Sequence, residues 1–312
     1  MADPGLASGI VTDVFLPLAL AVIMFGMGMT LTPDDFRRVI RAPKAVAVGL
    51  AGHVLLVPLL AMGVVVAFHY LFHPPEAILL GLLLLASCPA GTTSNVVTYL
   101  ARADAALSVS VTTVNSLAAV VTTPLLFLAM TRLLLGDADS IEVSVIQMVG
   151  LVLAIVVLPI VIGLLLRRAR PRIAIAAERP FRIASSLLLV LVIAVAVYEN
   201  RVGFWSLAGS AVPISLALNV LALAGGLWLG KLVGLKDFQA RAVSIEAGFQ
   251  NGTLGIALAV SQLDNAVAAL VPGFYSLTMF VTGAAVAWWW ARDTRRKEQV
   301  AGTAARRQPL AE

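Results

Sequence analysis

The chain has 312 residues, of which 60% are hydrophobic and only 12% are charged, and its mean hydropathy is +0.96. An average soluble domain carries roughly 25% charged residues, so this composition excludes a soluble protein and indicates an all-α polytopic membrane protein. The formal charge of +5 comes from basic residues in short loops between apolar segments, which does not indicate a nucleic-acid partner. The single cysteine, Cys88, excludes an intrachain disulfide and a cysteine-based metal cluster.

Nine apolar segments are long enough to cross a bilayer, which takes about 20 mostly apolar residues. They are 13–31, 44–70, 76–102, 104–134, 143–167, 182–199, 204–235, 238–262 and 265–291. The third segment is interrupted near residue 90 and the eighth near residue 250. The polar, basic chain after Trp290 predicts a disordered cytoplasmic extension.

The basic residues predict how the segments are oriented. Of the 22 Lys and Arg residues, 20 lie in the tail and in loops that nine spans place on one side, and Arg132 and Arg201 lie on the other. The positive-inside rule then predicts an extracellular N-terminus and a cytoplasmic C-terminus. Residues 1–9 have no basic n-region of a signal peptide. The absence of targeting segments favours a multi-pass protein of a bacterial inner membrane.

The two interruptions resemble each other. Both run from an Ala-Gly dipeptide to an asparagine, Ala90-Gly91 to Asn95 and Ala247-Gly248 to Asn251. In hydrocarbon every freed backbone group needs a partner, so such a break is tolerated only where it is buried in protein or lines a wet cavity. Similar breaks in corresponding positions of two halves indicate the substrate and ion site of a secondary transporter.

Among the 17 carboxylates, only Glu246 lies well inside an apolar segment. A charge at the bilayer centre costs about 2.5–3.5 kcal/mol on insertion scales, so an acid there is a functional candidate. The alternative is a structural acid that pairs with Arg241 or with a hydroxyl.

A polar face follows the first interruption. Ser108, Thr112 and Asn115 are spaced at i, i+4 and i+7 and share one face of a helix. Together with Ser94 and Asn95, they would present neutral oxygens to the carboxylate of Glu246. Hard cations choose oxygen ligands, and a single net charge suits a monovalent ion, so sodium is the expected ion. The alternative is that these small hydroxyl residues only let helices pack closely.

Asn95 and Asn251 stand at the expected starts of the second half-helices. Half-helix N-termini carry partial positive charge and free N–H groups, which suit a carboxylate or sulfonate. The implied substrate is therefore a small organic anion.

Four stretches resemble the bile acid:sodium symporter family. They are IMFGMGMTLTPDDF at 23–36, CPAGTTSNVVTYLA at 88–101, ALSVSVT at 106–112 and IEAGFQN at 245–251. The resemblance implies a five-plus-five inverted repeat that lacks its first helix, and a sodium symporter that works by alternating access. A panel domain would comprise 13–31 and 143–199, and a core domain with two crossing broken helices would comprise 44–134 and 204–291. Residues 1–12 would be extracellular and 292–312 a cytoplasmic tail.

The resemblance also implies site residues. The first sodium would be held by Ser94, Asn95, Ser108, Thr112 and Glu246. The second would be held by Glu246, the backbone carbonyls of Ala247 and Phe249, and the side chain of Gln250. Asn95, Thr112 and Asn251 are the expected substrate-binding residues. The protein is expected to be a monomer in the lipid bilayer and not an enzyme.

Two departures from the family pattern bear on function. Family members often place a Gln at the position of His53 as a ligand of the second sodium. Imidazole is a poorer ligand than an amide oxygen for a hard cation, so we expect either a weakened second site or coupling that is sensitive to pH. The last span is apolar at Leu277-Thr-Met-Phe280, which favours a smaller carboxylate, such as pantoate or a keto acid, over a bile acid. The alternatives are an arsenite-exporter-like protein that uses Cys88 and a proton-coupled organic-acid transporter.

Overall fold

The computed structural model describes residues 16–32, 39–135, 144–177 and 204–307, together with Arg37 and a few single positions between 180 and 191. All the regular elements in these ranges are helices. They are α1 Leu16–Thr30, α2 Pro43–Phe72, α3 Glu76–Ser87, α4 Thr93–Leu100, α5 Ala105–Leu135, α6 Val145–Ala169, α7 Phe204–Leu232, α8 Asp237–Gly248, α9 Gly252–Leu263 and α10 Ala266–Arg307.

Eight of the nine predicted spans coincide with these helices, and the predicted segment 182–199 lies largely outside the described residues. Five helices are long and apolar enough to cross a membrane on their own, namely α2, α5, α6, α7 and α10. The third predicted span is divided into α3 and α4, and the eighth into α8 and α9. The protein is therefore a multi-pass helical membrane protein with two interrupted segments.

Two of the long helices contain a wider, π-helical turn. The turn spans Gly52–Leu56 in α2 and Leu153–Val157 in α6, and a proline follows each, at Pro58 and Pro159. Proline has no N–H to donate to the preceding turn and its ring crowds the carbonyl four residues back, so the local widening accommodates it. The first π turn contains His53, which is buried.

Helix α1 packs directly on α6 through glycines. A Cβ atom on Gly163 would lie 2.8 Å from the backbone nitrogen of Met29, and a Cβ on Gly28 would overlap the carbonyl of Ile160. Small residues let membrane helices approach at backbone distance. The glycine and methionine stretch of α1 is thus a close-packing surface.

Helix α7 meets α8 in the same way. A Cβ on Gly226 would lie 2.9 Å from both the Cβ of Ala247 and the Cα of Ser244, and a Cβ on Gly230 would lie 2.8 Å from the Cα of Ala240. The end of α8 is therefore held at a fixed distance from α7.

The last helix differs from the prediction. Residues 291–307 continue α10, so the expected disorder after Trp290 is wrong for this part of the tail. The segment is rich in Ala and Arg, which are strong helix formers. Lys297 pairs with Asp293 one turn earlier at 2.8 Å, and Asp293 also accepts from the buried Arg241 of α8 at 2.5 Å. These contacts anchor the extension to the rest of the protein.

Candidate ion and substrate site

The two interruptions lie against each other as an antiparallel backbone pair. Ala90 and Gln250 form an isolated bridge. Two hydrogen bonds flank it, from Gly91 N to the Phe249 carbonyl (3.0 Å) and from Asn251 N to the Pro89 carbonyl (2.9 Å). The breaks thus satisfy each other's backbone groups, as burial at membrane depth requires.

The register of this pair differs from the sequence correspondence. The repeated Ala-Gly dipeptides align Ala90 with Ala247, but the bridge joins Ala90 with Gln250. Ala247 and Gly248 still belong to α8, whereas the chain from Phe249 is extended and exposes groups that can pair. The close approach also requires Gly91, since a Cβ there would lie 2.8 Å from the carbonyl oxygen of Gln250.

Three hydroxyls from the first half of the chain converge on the carboxylate of Glu246, near the end of α8. Ser94 Oγ donates to Glu246 Oε1 at 2.7 Å, and Thr112 Oγ1 lies 3.0 and 2.9 Å from the two carboxylate oxygens. Ser108 Oγ also donates to Oε1. All four side chains are fully buried.

Asn95 completes this cluster from the first turn of α4. Its Oδ1 lies 2.8 Å from Ser108 Oγ and 3.3 Å from Thr112 Oγ1, and its side chain is only half-buried. Five side chains therefore bring six oxygens together, two of them from Glu246, and we call this set the Glu246 cluster. Asn115 is buried on the same helix face, but its amide nitrogen has no partner among the described residues.

The charge of Glu246 has no basic partner within the described ranges. Arg241, the alternative partner, instead pairs with Asp237 at 2.6 Å and with Asp293 at 2.5 Å. An unpaired buried carboxylate is costly, so the cluster favours a bound cation. The donors of the cluster are all oxygens, which suit a hard alkali ion better than a transition metal.

A second set of acceptors lies at the end of α8. Gln250 Nε2 donates to the carbonyl of Ala247 at 3.0 Å, and its Oε1 is buried with no partner in the described residues. The Phe249 carbonyl accepts from Gly91 and has a second lone pair. A buried acceptor without a donor destabilises the folded protein, and a cation bound to Oε1 of Gln250 would offset this cost.

His53 lies between the two breaks. Its Nε2 is 2.9 Å from the carbonyl of Cys88 and its Nδ1 is 3.3 Å from the backbone carbonyl of Glu246. Each ring nitrogen therefore already faces an oxygen acceptor. The ring would have to turn before a nitrogen could coordinate an ion.

The half-helices α4 and α9 begin at the crossing. Asn251 is the N-cap of α9 and accepts from Leu254 N at 3.1 Å, as its predicted position at a helix start implies. Asn95 lies within the first turn of α4. Both N-termini, with their partial positive charge, therefore lie at the crossing, and that of α4 contributes Ser94 and Asn95 to the Glu246 cluster.

Sequence reasoning missed a third group, around the carbonyl of Gly248. Asn219 Nδ2 of α7 donates to this carbonyl at 2.8 Å, and Tyr275 OH of α10 donates to it at 2.9 Å. Thr282 Oγ1 donates to Asn219 Oδ1 at 2.5 Å. An asparagine inside an apolar span is a signal that could have singled out Asn219.

Crossing broken helices beside a buried oxygen cluster define the class of secondary transporters. The family described as the Sodium Bile acid symporter family matches residues 17–206. The chain belongs to this family, whose members are transporters and not enzymes.

Three relatives illustrate the range of similarity. The uncharacterized sodium-dependent transporter YocS of Bacillus subtilis is 30% identical over 285 residues, which is 91% of this chain and 85% of the relative. A probable chloroplastic sodium/metabolite cotransporter of rice, BASS2, is 33% identical over 92% of this chain and 66% of its own length. The human ileal sodium/bile acid cotransporter is 30% identical over 78% and 68%. The chain thus spans about two thirds of the plant and human relatives.

Proposed function

We propose that the protein is a sodium-coupled symporter that imports a small organic anion by alternating access. The observation that carries this proposal is the Glu246 cluster, in which six oxygens with one carboxylate charge converge from both interrupted segments and from α5. A sodium ion there would contact side chains from both breaks. Its binding and release would therefore be coupled to the relative position of the two interrupted segments.

The first ion would use the whole cluster, and the second would lie at the end of α8. The proposed ligands of the second ion are Glu246, the carbonyls of Ala247 and Phe249, and Oε1 of Gln250. The buried oxygen of Gln250, which has no donor among the described residues, supports this second site. His53 lies where a further ligand is expected, but both its nitrogens face carbonyls, so we propose a second site weaker than one with an amide at this position.

The anion would bind beside the ions, at the N-termini of α4 and α9. The proposed contacts are the amide nitrogen of Asn251, whose oxygen caps its own helix, the half-buried Asn95 and the hydroxyl of Thr112. Because Asn95 and Thr112 also belong to the Glu246 cluster, bound sodium would both orient these groups and attract the anion. This shared use of side chains would couple the two ligands.

A small carboxylate fits better than a bile acid. Residues 277–280 of α10 have mostly apolar side chains, and those of Leu277 and Phe280 are exposed. They offer few hydrogen-bonding groups to a hydroxylated sterol. The names of the plant relatives refer to metabolites and not to bile acids.

We propose the membrane arrangement that the basic residues predict. The N-terminus would be outside, the C-terminus in the cytoplasm of a bacterium, and the protein a monomer. Segments 13–31 and 143–199 would form the panel, and segments 44–134 and 204–291 the core that moves against it. The glycine contact between α1 and α6 supports a rigid panel.

The direct test is the thermal stability of the purified full chain in NaCl and in KCl at equal ionic strength. A ligand that binds only the folded state stabilises it by RT ln(1 + [L]/Kd), which predicts a sodium-selective rise of several degrees. Glu246→Gln removes the charge at constant size and should abolish the difference between the two salts. Glu76→Gln, a matched change at an exposed carboxylate, should preserve it. If sodium and potassium act alike on the unmodified protein, the sodium proposal is wrong and proton coupling becomes the next hypothesis.

A further inference from the structure

We propose that Asn219, Tyr275 and Thr282 form a carbonyl clamp that positions the end of α8 and thereby sets the sodium affinity of the second ion site. The inference rests on the proposed function, because it concerns the ion ligands proposed above. None of the three side chains would touch the ion. They would act through the backbone carbonyl of Gly248.

The clamp acts on carbonyls that the helix itself leaves free. The last C=O groups of an α-helix have no intrahelical donor, so their direction depends on outside partners. The carbonyl of Gly248 receives two such donors, Asn219 Nδ2 at 2.8 Å and Tyr275 OH at 2.9 Å. It lies in sequence between Ala247 and Phe249, the two proposed carbonyl ligands. The two donors hold the Gly248 carbonyl toward α7 and α10. The carbonyls of Ala247 and Phe249 are then free to face the ion.

Thr282 contacts the oxygen end of the Asn219 amide. Its hydroxyl lies 2.5 Å from Asn219 Oδ1, so the amide oxygen faces the hydroxyl and the amide nitrogen faces Gly248. The Gly248 carbonyl can only accept, so the reversed amide would set its oxygen against this carbonyl and lose that hydrogen bond, whereas a hydroxyl can pair with either end of an amide. The same hydroxyl is also 3.0 Å from the carbonyl of Thr278, which competes for its one proton. The position of the Asn219 amide therefore depends on one hydroxyl of α10, while Tyr275 donates to Gly248 directly.

The opposite side of the crossing has a counterpart. If the two breaks are exchanged, each of the two flanking backbone hydrogen bonds takes the place of the other. The same exchange relates Cys88 to Gly248, since each lies two residues before the residue of its own break that forms the bridge. The Cys88 carbonyl lies 2.9 Å from His53 Nε2 of α2. The equivalent carbonyl thus meets a side-chain nitrogen from a long helix on each side. This recurrence indicates that the crossing requires both carbonyls to be held.

Near-isosteric variants test the clamp through the sodium concentration that gives half of the maximal stabilisation of the full chain. Tyr275→Phe removes one donor, and Thr282→Val removes the hydroxyl that holds the amide of Asn219 in place. One hydrogen bond to a buried carbonyl corresponds to roughly a three- to tenfold change in binding, so each variant should raise the half-saturating sodium concentration by about that factor. Thr278→Val is the matched control, because this half-buried hydroxyl donates to the Tyr275 carbonyl of its own helix. It should leave the concentration unchanged.

A second set of variants separates positioning of the ion site from a general effect on stability. In a Gln250→Ala background the second site is already impaired, so Tyr275→Phe should cause little further shift in sodium half-saturation. In a Ser94→Ala background, which impairs only the first site, the shift caused by Tyr275→Phe should persist. Equal shifts in both backgrounds, or a Thr278→Val shift as large as that of Tyr275→Phe, would overturn the inference. If Tyr275→Phe does not fold, the same comparison is made with Thr282→Val.

These results are distinguishable from failure of the proposed function. If the unmodified protein shows no sodium-selective stabilisation, both the sodium sites and the clamp are wrong. If the unmodified protein responds to sodium and Glu246→Gln does not, but the two clamp variants match the unmodified half-saturation, only the clamp is wrong.

Discussion

At the scale of single residues, His53 has the sharpest consequence for ion coupling. It lies between the carbonyls of Cys88 and Glu246, where it joins the two breaks but offers no oxygen to an ion. His53→Gln supplies an amide oxygen at the same position, and oxygen is the better ligand for a hard cation. We therefore expect the variant to show a steeper dependence of transport on sodium concentration.

The measurement for His53→Gln is initial uptake rate against sodium concentration in proteoliposomes. His69→Gln, at an exposed histidine of the same helix, is the control and should leave the curve unchanged. An unchanged curve for His53→Gln would mean that this position does not influence the second ion.

At the scale of helices, the crossing depends on how closely the two breaks approach. A Cβ on Gly91 would lie 2.8 Å from the carbonyl oxygen of Gln250, a separation that real Cβ atoms do not tolerate, and backbone rather than a flexible side chain would have to move. Gly91→Ala should therefore separate the breaks, disturb the Glu246 cluster and abolish sodium-selective stabilisation. Thermal shift in NaCl and KCl measures this effect.

The matched control for Gly91 is Gly63, in α2. A Cβ at this position would meet no atom within 4 Å, so Gly63→Ala adds the same methyl group without a clash. It should keep the sodium response and raise helix stability by up to about 1 kcal/mol, the ordinary difference between Gly and Ala within a helix. If Gly91→Ala behaves like this control, the close approach of the breaks is not needed for ion binding.

At the scale of the whole molecule, the question is what drives transport. We expect uptake of a small carboxylate into proteoliposomes to require an inward sodium gradient, which a potassium gradient should not replace.

Cys88→Ala should retain this uptake, because the thiol is buried and donates a hydrogen bond to the carbonyl of Leu84 at 3.3 Å, so it is not presented to a substrate. Loss of transport in Cys88→Ala, with normal folding, would instead revive the arsenite-exporter alternative.

Much of this protein follows from its sequence alone. Hydropathy is a sum over neighbouring residues, so the membrane class and the eight apolar segments that coincide with described helices were predictable without any knowledge of tertiary contacts. The two interruptions are local as well, since proline, glycine and asparagine alter the backbone where they stand. Glu246 stood out because an acid inside an apolar run is conspicuous on its own.

Only the tertiary structure decided which atoms of the two breaks meet. Three sets of contacts join groups that are distant in the sequence, and no local pattern contains their geometry. They are the pairing of Ala90 with Gln250, the contacts of His53 with two carbonyls, and the two donors to the carbonyl of Gly248. The continuation of α10 past Trp290 likewise contacts Arg241 of α8 through Asp293, a remote partner that a polar composition does not reveal. Local chemistry thus determined which residues were candidates, while long-range backbone hydrogen bonds determined how they are arranged, because at membrane depth each freed backbone group must find its partner elsewhere in the chain.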